Sequence, residues 1–347
     1  MKKELLMGTA LVSTLGAASV AEAVTATMSG NHQTGMEFDS PTGGTDTNAQ
    51  INDNNFTVSL SETTDGGMTI SSSFKVMDEN TKEDYDAGFT LAFTDGSKLD
   101  VINAGNASGS HAVSIPGSAG AEGVAITSTN SASTGLDFMT GSTALGVEYH
   151  TASDFFADGL KMSFSASTDD GSAATATYRV DSHFALGATY VTDLGDSAVT
   201  LGAGYSTTEG NKTGATSLSN DPGGFHVGLS AVTGDLTVAV GFADGDTTSG
   251  DTNANEVAGE VVKAGVKYVS GDLTFNVGIA SGEAKDGVIG TAGTTTDSKD
   301  VTSASVSYAV AAGVTAILGY TDVDSSDEGA NDTTDGSAWY IGANMAF

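Results

Sequence analysis

The stretch of sequence that decides the fold is Asp272–Ser281, which reads DLTFNVGIAS. Its large apolar side chains occupy every second position, at Leu273, Phe275, Val277 and Ile279, and threonine, asparagine, glycine and alanine fill the positions between them. Successive side chains of a β-strand point to opposite faces, so this spacing predicts a strand with one apolar face and one small or polar face.

The same alternation recurs along the chain. It is clearest in residues 55–61, 84–94, 159–167, 196–206 and 235–244. Strands of a soluble β-sandwich also alternate, but their inner faces carry large residues that pack a core. Here the second face is small or polar in nearly every segment, which predicts a transmembrane β-barrel with an apolar outside and a wet inside. A soluble β-sandwich or β-solenoid is the alternative fold.

The connections between these segments alternate in length. Thr233-Gly234 and Ser270-Gly271 are tight turns, whereas residues 207–223, 245–258, 282–300 and 324–336 are long, polar and acidic. Short turns at one rim and long loops at the other are typical of bacterial outer-membrane barrels, which have an even number of strands. About seventeen segments can be counted, so we expect one error, near residues 179–184. We predict an all-β, antiparallel up-and-down barrel of 16 strands, with 18 as the alternative.

The first residues indicate export. Met1-Lys2-Lys3 is followed by a short apolar run and then by Ala21-Glu22-Ala23, the small-residue pattern of a signal-peptide cleavage site. We expect residues 1–23 to be a signal peptide and residues 24–347 to form a single β-barrel domain. Within that domain, residues 104–137 lack strong alternation, and a long insertion of this kind is usually functional.

Composition excludes several classes of function. The chain has no cysteine and a formal net charge of −32, so it offers no thiolate chemistry, no cysteine-based zinc site and no basic footprint for nucleic acid. Its five histidines are scattered and match no hydrolase or metalloprotease motif, and we predict no enzyme activity, no cofactor and no metal site. The acidic runs Asp244–Asp251 and Asp322–Glu328 leave Ca²⁺ binding on external loops as an alternative to plain solvated charge.

Alternation also assigns charged residues to the lumen. A charge on the lipid face at mid-bilayer costs about 2–4 kcal/mol for Lys or Arg, so charged side chains within strands should point inward, with His150 and His226 nearby. Rings of such side chains set ion selectivity in channels. The candidate pore-lining residues are Lys75, Lys98, Lys161, Arg179, Lys263, Lys267, Glu37, Asp86, Asp100 and Glu148.

The sequence resembles the general bacterial porins of Gram-negative outer membranes. The likeness lies in the export signal, the series of hairpins, the final segment Ala338–Phe347 and the segment Val147–Leu160, which reads VEYHTASDFFADGL. The resemblance implies a 16-stranded homotrimeric channel. It also implies that the chain end, with Phe347 and Tyr340, is the signal recognised by the barrel assembly machinery.

The resemblance further implies a constriction loop that folds into the barrel, and by position this loop is residues 104–137. Such loops usually carry several carboxylates that face a basic wall. Here the loop carries only Glu122, with Asp137 at its end, and the whole chain has a single arginine. This departure weakens the expectation of a strongly polarised constriction.

We therefore expect an outer-membrane porin for passive diffusion of small hydrophilic solutes and ions, with a mild cation preference caused by the acidic loops. The expected partners are two further copies of the chain, outer-membrane lipid, lipopolysaccharide and the barrel assembly machinery. Two other functions stay open. One is an acidic surface-layer or adhesin protein, which would not depend on detergent; the other is a substrate-selective channel, which would carry an aromatic ladder or a basic cluster in its lumen.

Overall fold

The structure is a computed structural model. It describes residues 24–42, 44–78, 81–82, 88–102, 106–117, 146–167, 179–211, 219–220, 223–249, 255–288, 295–326 and 335–347. The expected signal peptide lies outside this set, as do Asp86, Glu122 and Asp137. Within the described residues, no helix has the length and apolar character needed to cross a membrane.

Sixteen antiparallel strands form one sheet. Two of them, β4 and β10, each consist of two segments that pair with the same preceding strand. The strands are β1 Thr25–Pro41, β2 Thr47–Thr63, β3 Thr69–Asp78, β4 Thr81–Lys82 with Phe89–Ala92, β5 Lys98–Val101, β6 Gly146–His150, β7 Leu160–Ser167, β8 Arg179–Leu194, β9 Ser197–Asn211, β10 Ser219–Asn220 with Gly223–Thr233, β11 Leu236–Ser249, β12 Asn255–Ser270, β13 Leu273–Val288, β14 Thr295–Ala311, β15 Val314–Ser326 and β16 Gly336–Ala346.

Pairing of the last strand with the first closes the sheet into a barrel. Each strand pairs antiparallel with its neighbours in sequence, and β16 pairs with β1 through residues 336–346 and 31–41. At the end of this ladder, Phe347 and Gly30 exchange backbone hydrogen bonds of 3.0 and 3.1 Å. Closure gives both terminal strands a partner on each side, which is the condition for β-structure to cross hydrocarbon.

The two faces of the sheet differ as the alternation predicts. In β13, Val277 and Ile279 are 51% and 57% exposed, whereas the intervening Asn276 is 6% exposed and donates a hydrogen bond to Ser305 of β14. Buried positions elsewhere in the sheet are mostly serine, threonine, histidine, glycine or acidic residues. The polar face is therefore the enclosed face and the apolar face is outside, which is the reverse of a soluble sandwich.

Aromatic side chains form two bands on the outer face. Near the rim of short turns lie Tyr190, Tyr268, Phe275 and Tyr308, and toward the opposite rim lie Phe184, Tyr205, Phe225 and Trp339. Along β8 the two bands are separated by the six residues from Phe184 to Tyr190, which correspond to about 20 Å of strand. An outward apolar zone flanked by two aromatic girdles is typical of outer-membrane barrels.

Two-residue turns join the strands at one rim. Gly195-Asp196, Gly234-Asp235 and Gly271-Asp272 connect β8 to β9, β10 to β11 and β12 to β13. The three glycines have φ values of 63°, 56° and 60°. Glycine with positive φ at the first central position is the signature of the type II′ hairpin turn, whose twist matches that of the flanking strands.

The prediction of 16 strands is confirmed, and the counting error lies where it was expected. Residues Asp181 and Ser182, interpreted as a turn, belong to the interior of β8. Ser182 pairs with Glu209 and Val180 pairs with Gly210, so Asp181 is an extra residue in the ladder. A β-bulge interrupts alternation for one residue, which explains why the sequence there suggested a turn.

The predicted strand ends on the side of the long loops were wrong. The strand predicted from the alternation at 272–281 continues to Val288, the one at 196–206 continues to Asn211, and the one at 235–244 continues to Ser249. The predictions ended where apolar alternation ended. Beyond the bilayer, however, strands still pair through their backbones without needing an apolar face.

The facing of β13 can be tested with two arginine substitutions on adjacent residues. We expect Val277→Arg to lower the yield of folded barrel strongly, because it places a charge on the lipid face at a cost of about 2–4 kcal/mol. Asn276→Arg, which points to the lumen, should fold. The measurement is the heat-modifiable fraction on cold gel electrophoresis, and equal yields from the two variants would contradict the facing.

Candidate functional site

Residues 106–117, called here the inner segment, lie inside the barrel. The backbone N–H of Ala107 donates to Ser165 Oγ of β7 at 3.0 Å, and the carbonyl of Ser108 is 2.8 Å from His226 Nε2 of β10. A single 3₁₀ turn, Gly109–His111, follows. Ala107, Ser108 and His111 are almost completely buried, so this part of the segment rests against the wall and does not cross open space.

A row of inward glycines, called here the glycine track, makes this contact possible. A Cβ atom at Gly187 would lie 2.6 Å from the His111 ring, and one at Gly228 would lie 2.8 Å from Val113 Cβ. At Gly278 it would lie 2.6 Å from the carbonyl oxygen of Pro116. Real Cβ atoms almost never approach so closely. The track consists of Gly187, Gly202, Gly204, Gly228, Gly241, Gly265 and Gly278.

Strand register places most of the track glycines side by side, although Gly241 is opposite Lys263 and Gly265 is opposite Ala239. Gly187 is opposite Gly204, Gly202 is opposite Gly228, Gly228 is opposite Gly241, and Gly265 is opposite Gly278. The inner segment therefore follows a shallow channel of bare backbone from β8 to β13. Sequence reasoning missed this role, because glycine was taken only as one of the small residues on the inner face. The available signal was the recurrence of inward glycine in six consecutive strands.

A chain of polar contacts joins the inner segment to β5, β6, β7 and β8. His111 Nε2 is 2.8 Å from Ser163 Oγ, and Ser163 Oγ is 2.7 Å from His150 Nδ1. His150 Nε2 is in turn 2.9 Å from Asp100 Oδ2, which also accepts a hydrogen bond from Lys98 at 3.1 Å. The other His111 nitrogen, Nδ1, is 2.6 Å from Thr189 Oγ1.

A second link runs through Glu148. The Ser110 hydroxyl of the inner segment donates to Glu148 Oε1 at 2.8 Å, and Glu148 is 1% exposed. The buried carboxylate thus fixes the 3₁₀ turn against β6. Together the two links hold the segment by side-chain hydrogen bonds on one side, where the glycine track begins.

His111 carries no charge at neutral pH. Burial, and then the positive fields of His150, Lys161 and His226, lower the pKa of His111 from 6.5 to about 4. A neutral imidazole has one donor and one acceptor nitrogen, which matches its two hydroxyl partners.

Lysine side chains face the lumen beside the inner segment. Lys263 lines a small cleft with Val113 and Ile115, and Lys267 borders a larger cavity of about 500 Å³ next to residues 111–117. The rest of that cavity wall is rich in hydroxyl and amide groups: Thr189, Thr200, Ser230, Thr237 and Asn276. Within the described part of the chain, neither Lys161 nor Lys267 forms an ion pair.

The structure places most of the predicted pore-lining residues on the inner face. Alternation along each strand puts Glu37, Lys75, Lys98, Asp100, Glu148, Lys161, Lys263 and Lys267 on the same side as residues that contact the inner segment or line the lumen. Among the described residues, Lys98, Asp100 and Glu148 are brought together. Arg179 begins β8, but its side chain is not described, and Asp86, Glu122 and Asp137 lie outside the described residues.

The residues predicted as an assembly signal occupy different environments. Tyr340 is fully buried on the inner face, where it packs with Ile317 and Ala338, and its hydroxyl donates to the carbonyl of Thr34 at 3.4 Å. Phe347 is 70% exposed and lies 6.3 Å from Phe56, centroid to centroid. Tyr340 is thus an inward aromatic residue, which the alternation did not single out.

The acidic runs considered for Ca²⁺ lie partly outside the described residues. Asp244 shares the outer face of β11 with Phe242 and is directly opposite Glu260, which is opposite Glu283. Asp300 is likewise opposite Asp324 on the neighbouring strands β14 and β15. These carboxylates form outward rows beyond the aromatic band on the side of the long loops.

Sequence comparison identifies the family. A family model described as Gram-negative porin matches residues 8–290. The chain belongs to the Gram-negative porin family. The porin is thus a channel of the bacterial outer membrane, and the prediction of this location is confirmed. No curated protein sequence matches it.

Solved structures confirm that the fold is that of a porin. A loop-deletion mutant of OmpT, an outer membrane protein of Vibrio cholerae, is 15% identical with a TM-score of 0.64, covering 94% of this chain and 100% of that one. An anion-selective porin from Comamonas acidovorans is 13% identical with a TM-score of 0.64, covering 93% and 100%. In-vitro folded OmpT of Vibrio cholerae in its trimer form is 14% identical with a TM-score of 0.61, covering 94% and 100%.

A side chain added to the glycine track should change the pore. We expect Gly265→Leu to displace the inner segment from the wall, because it would occupy the space of the Pro116 backbone. Overpacking of this kind costs about 1–3 kcal/mol. Single-channel conductance should fall while the folded fraction stays high. Ala264→Leu, on the outer face of the same strand, is the matched control; equal conductance in both variants would contradict the role of the track.

Acidic pH should loosen the inner segment through His111. When the segment is detached, His111 has its ordinary pKa of 6.5, and when it is docked the pKa is about 4. Docking is therefore fully favourable above pH 6.5 and weakens as the pH falls toward 4, because only the detached form takes up the proton. Open-channel current noise should rise over that range in the porin and rise less in His111→Gln. An identical pH profile in the two proteins would contradict this.

Proposed function

We propose that the porin forms a water-filled channel for passive diffusion of small hydrophilic solutes and ions, with a mild preference for cations. The observation that carries this proposal is the inner face, which is mostly polar in the described part of the chain and borders a cavity of about 500 Å³ whose wall includes many hydroxyl and amide groups. Sixteen-stranded barrels leave an aqueous channel. The described inner segment lies along the wall, so it narrows that channel without filling it.

The cation preference rests on the charge balance of the whole chain. The net charge is −32, with 44 acidic residues against 12 basic ones, and rows of outward carboxylates lie beyond one aromatic band. A negative rim raises the local concentration of cations at the entrance. Inside, Glu37, Asp100 and Glu148 face the lumen, and Lys98 is partly neutralised by Asp100.

Anion preference is the second candidate. Lys161 and Lys267 form no ion pair in the described part of the chain and lie beside the inner segment, where the channel is narrowed. Among the similar structures, the porin from Comamonas acidovorans is named as anion-selective. The two candidates differ in whether the rim or the wall near the inner segment controls permeation.

Planar-bilayer recording separates these candidates. The detergent-purified protein should give discrete conductance steps, and the reversal potential in a KCl gradient should have the sign of cation preference. Lys161→Gln combined with Lys267→Gln should increase that preference, because two positive charges leave the lumen. A reversal potential of anion sign would establish the second candidate. A folded, β-rich protein without conductance would contradict channel function and favour the surface-layer or adhesin alternative.

The proposed partners are two further copies of the chain, lipopolysaccharide and the barrel assembly machinery. The trimer form of Vibrio cholerae OmpT supports a homotrimer, which predicts conductance steps in groups of three. The outward carboxylate rows lie on the side of the long loops, where divalent ions could bridge them to lipid phosphates. Phe347 stays a prediction as the assembly signal, and its deletion should slow folding in vivo.

A further inference from the structure

We propose that Asp100, Glu148 and His150 form a binding site for one divalent transition-metal ion, with Zn²⁺ as the reference ion. Each side chain offers one ligand atom, and the three atoms lie within 4.8 Å of one another on the inner wall. The metal binding itself does not depend on the proposed function. The effect of a bound metal ion on the ion current does depend on the proposed function.

The geometry matches that of a metal centre. His150 Nε2 is 2.9 Å from Asp100 Oδ2 and 3.4 Å from Glu148 Oε1. In a tetrahedral zinc site with bonds of about 2.0–2.2 Å, the ligand atoms are about 3.3–3.6 Å apart. The separation between His150 and Glu148 already lies in this range, the one between His150 and Asp100 is shorter, and the third separation is at most 4.8 Å.

Strand register brings the ligands together without any loop. Asp100 of β5 is directly opposite Glu148 of β6, and Lys98 is directly opposite His150. Residues 148 and 150 share the inner face because they are two positions apart on one strand. Like charges directly opposite each other destabilise a sheet, so the Asp100–Glu148 pair gains from a cation between them.

Neighbouring hydroxyls hold the ligands in place. Ser163 Oγ lies 2.7 Å from His150 Nδ1, which leaves Nε2 facing the two carboxylates, and Ser110 donates to Glu148 at 2.8 Å. Glu148 and His150 are 1% and 5% exposed, so neither side chain has room to turn away. Hydrogen bonds to the second histidine nitrogen are the usual support of a metal-binding imidazole.

The hydrogen-bond chain through Ser163 can run in either of two directions, one suited to an empty metal site and the other to an occupied one. In one direction, Thr189 donates to His111, His111 to Ser163, Ser163 to His150, and His150 Nε2–H to Asp100. In the other direction His150 Nδ1–H donates to Ser163, Ser163 donates to His111 Nε2, His111 Nδ1–H donates to Thr189, and His150 Nε2 presents its lone pair. A metal ion selects the second arrangement. Both arrangements hold the same number of protons.

The ligand set determines the class of ion. One imidazole nitrogen and two carboxylates suit Zn²⁺, Ni²⁺, Cu²⁺ or Mn²⁺, whereas Ca²⁺ prefers six to eight oxygen ligands and Mg²⁺ requires an octahedral set. Lys98 lies 3.1 Å from Asp100 and competes with the metal for that carboxylate. Its side chain is 40% exposed, so it can swing into the lumen when the ion binds.

Metal binding should also strengthen the attachment of the inner segment. Glu148 holds Ser110, and His150 is joined to His111 through Ser163. A metal ion would fix both of these wall residues, and it would add positive charge next to the inner segment. We therefore expect a bound ion to alter the open-channel current.

Cobalt binding tests the site directly. Co²⁺ is added to the folded, detergent-purified porin in the presence of excess Ca²⁺, which occupies exposed carboxylates. We expect one Co²⁺ per chain, with visible d–d absorption that Zn²⁺ removes. Glu148→Gln and Asp100→Asn, which retain shape, should each weaken binding at least about tenfold. Glu37→Gln, which changes another buried inner-wall carboxylate, is the control and should bind as the parent does.

A charge variant provides an independent test. Lys98→Met should tighten Co²⁺ binding about tenfold, because it removes the competing positive charge. Heat-modifiable migration on cold gels verifies that every variant is folded. Absence of a one-to-one Co²⁺ signal, binding that survives both ligand substitutions, or no effect of Lys98→Met would each overturn the proposal.

Recording in bilayers then tests the metal site and the channel function separately. Micromolar Zn²⁺ should change the current through the parent porin and not through Glu148→Gln. Co²⁺ binding to a protein that shows no conductance would retain the site and reject the proposed function. Conductance without any Co²⁺ binding would reject the site and retain the channel.

Discussion

The ladder between β1 and β16 is the interaction on which the rest of the structure depends. Backbone groups in hydrocarbon have no water to bind, so a sheet that crosses a membrane must have no free edge. Residues 31–41 and 336–346 supply the last set of partners. Once this ladder forms, the inside and the outside of the barrel are fixed, and every alternate residue is assigned to lipid or to water.

Period-two alternation was sufficient to predict most of this architecture. Val277 and Asn276 were assigned to opposite faces from sequence. Shifting the pairing of a strand by one residue would turn all of its apolar side chains toward water, so the sequence must keep the alternation strictly. Features that depend on something else were missed. The bulge at Asp181 breaks the period locally, and the ends of β9, β11 and β13 lie beyond the bilayer, where alternation has no energetic cause.

The candidate site was predictable only in part. Alternation placed Glu148 and Asp100 toward the lumen, but it says nothing about which inward residues meet. The contact between His111 and Ser163 joins residues 52 positions apart, and it exists only because the inner segment returns to the wall beside β7. Such pairings depend on barrel register and on the path of a loop, and neither is encoded in a short sequence window.

The inner wall carries charges of both signs, and the acidic and basic side chains differ in how they are held. Glu148 is buried, Asp100 is half-buried, and both are held by hydrogen bonds, whereas Lys161 and Lys267 have no ionic partner in the described part of the chain. The carboxylates are fixed by hydrogen bonds to neighbouring residues, whereas the two lysine side chains are not fixed by an ion pair. This arrangement of charges differs from a constriction in which a carboxylate-bearing loop faces a basic wall.

The glycine track brings the wall against both the backbone and selected side chains of the inner segment. Gly202 and Gly265 meet the backbone of His111 and Pro116, whereas Gly228 and Gly241 meet the side chains of Val113 and Ile115. Side chains of the segment that point away from the track take no part in these contacts. Substitution at those positions is free to alter the electrostatics and the width of the passage without detaching the segment. The residues that hold the inner segment against the wall are thus different from the residues whose substitution can change the passage.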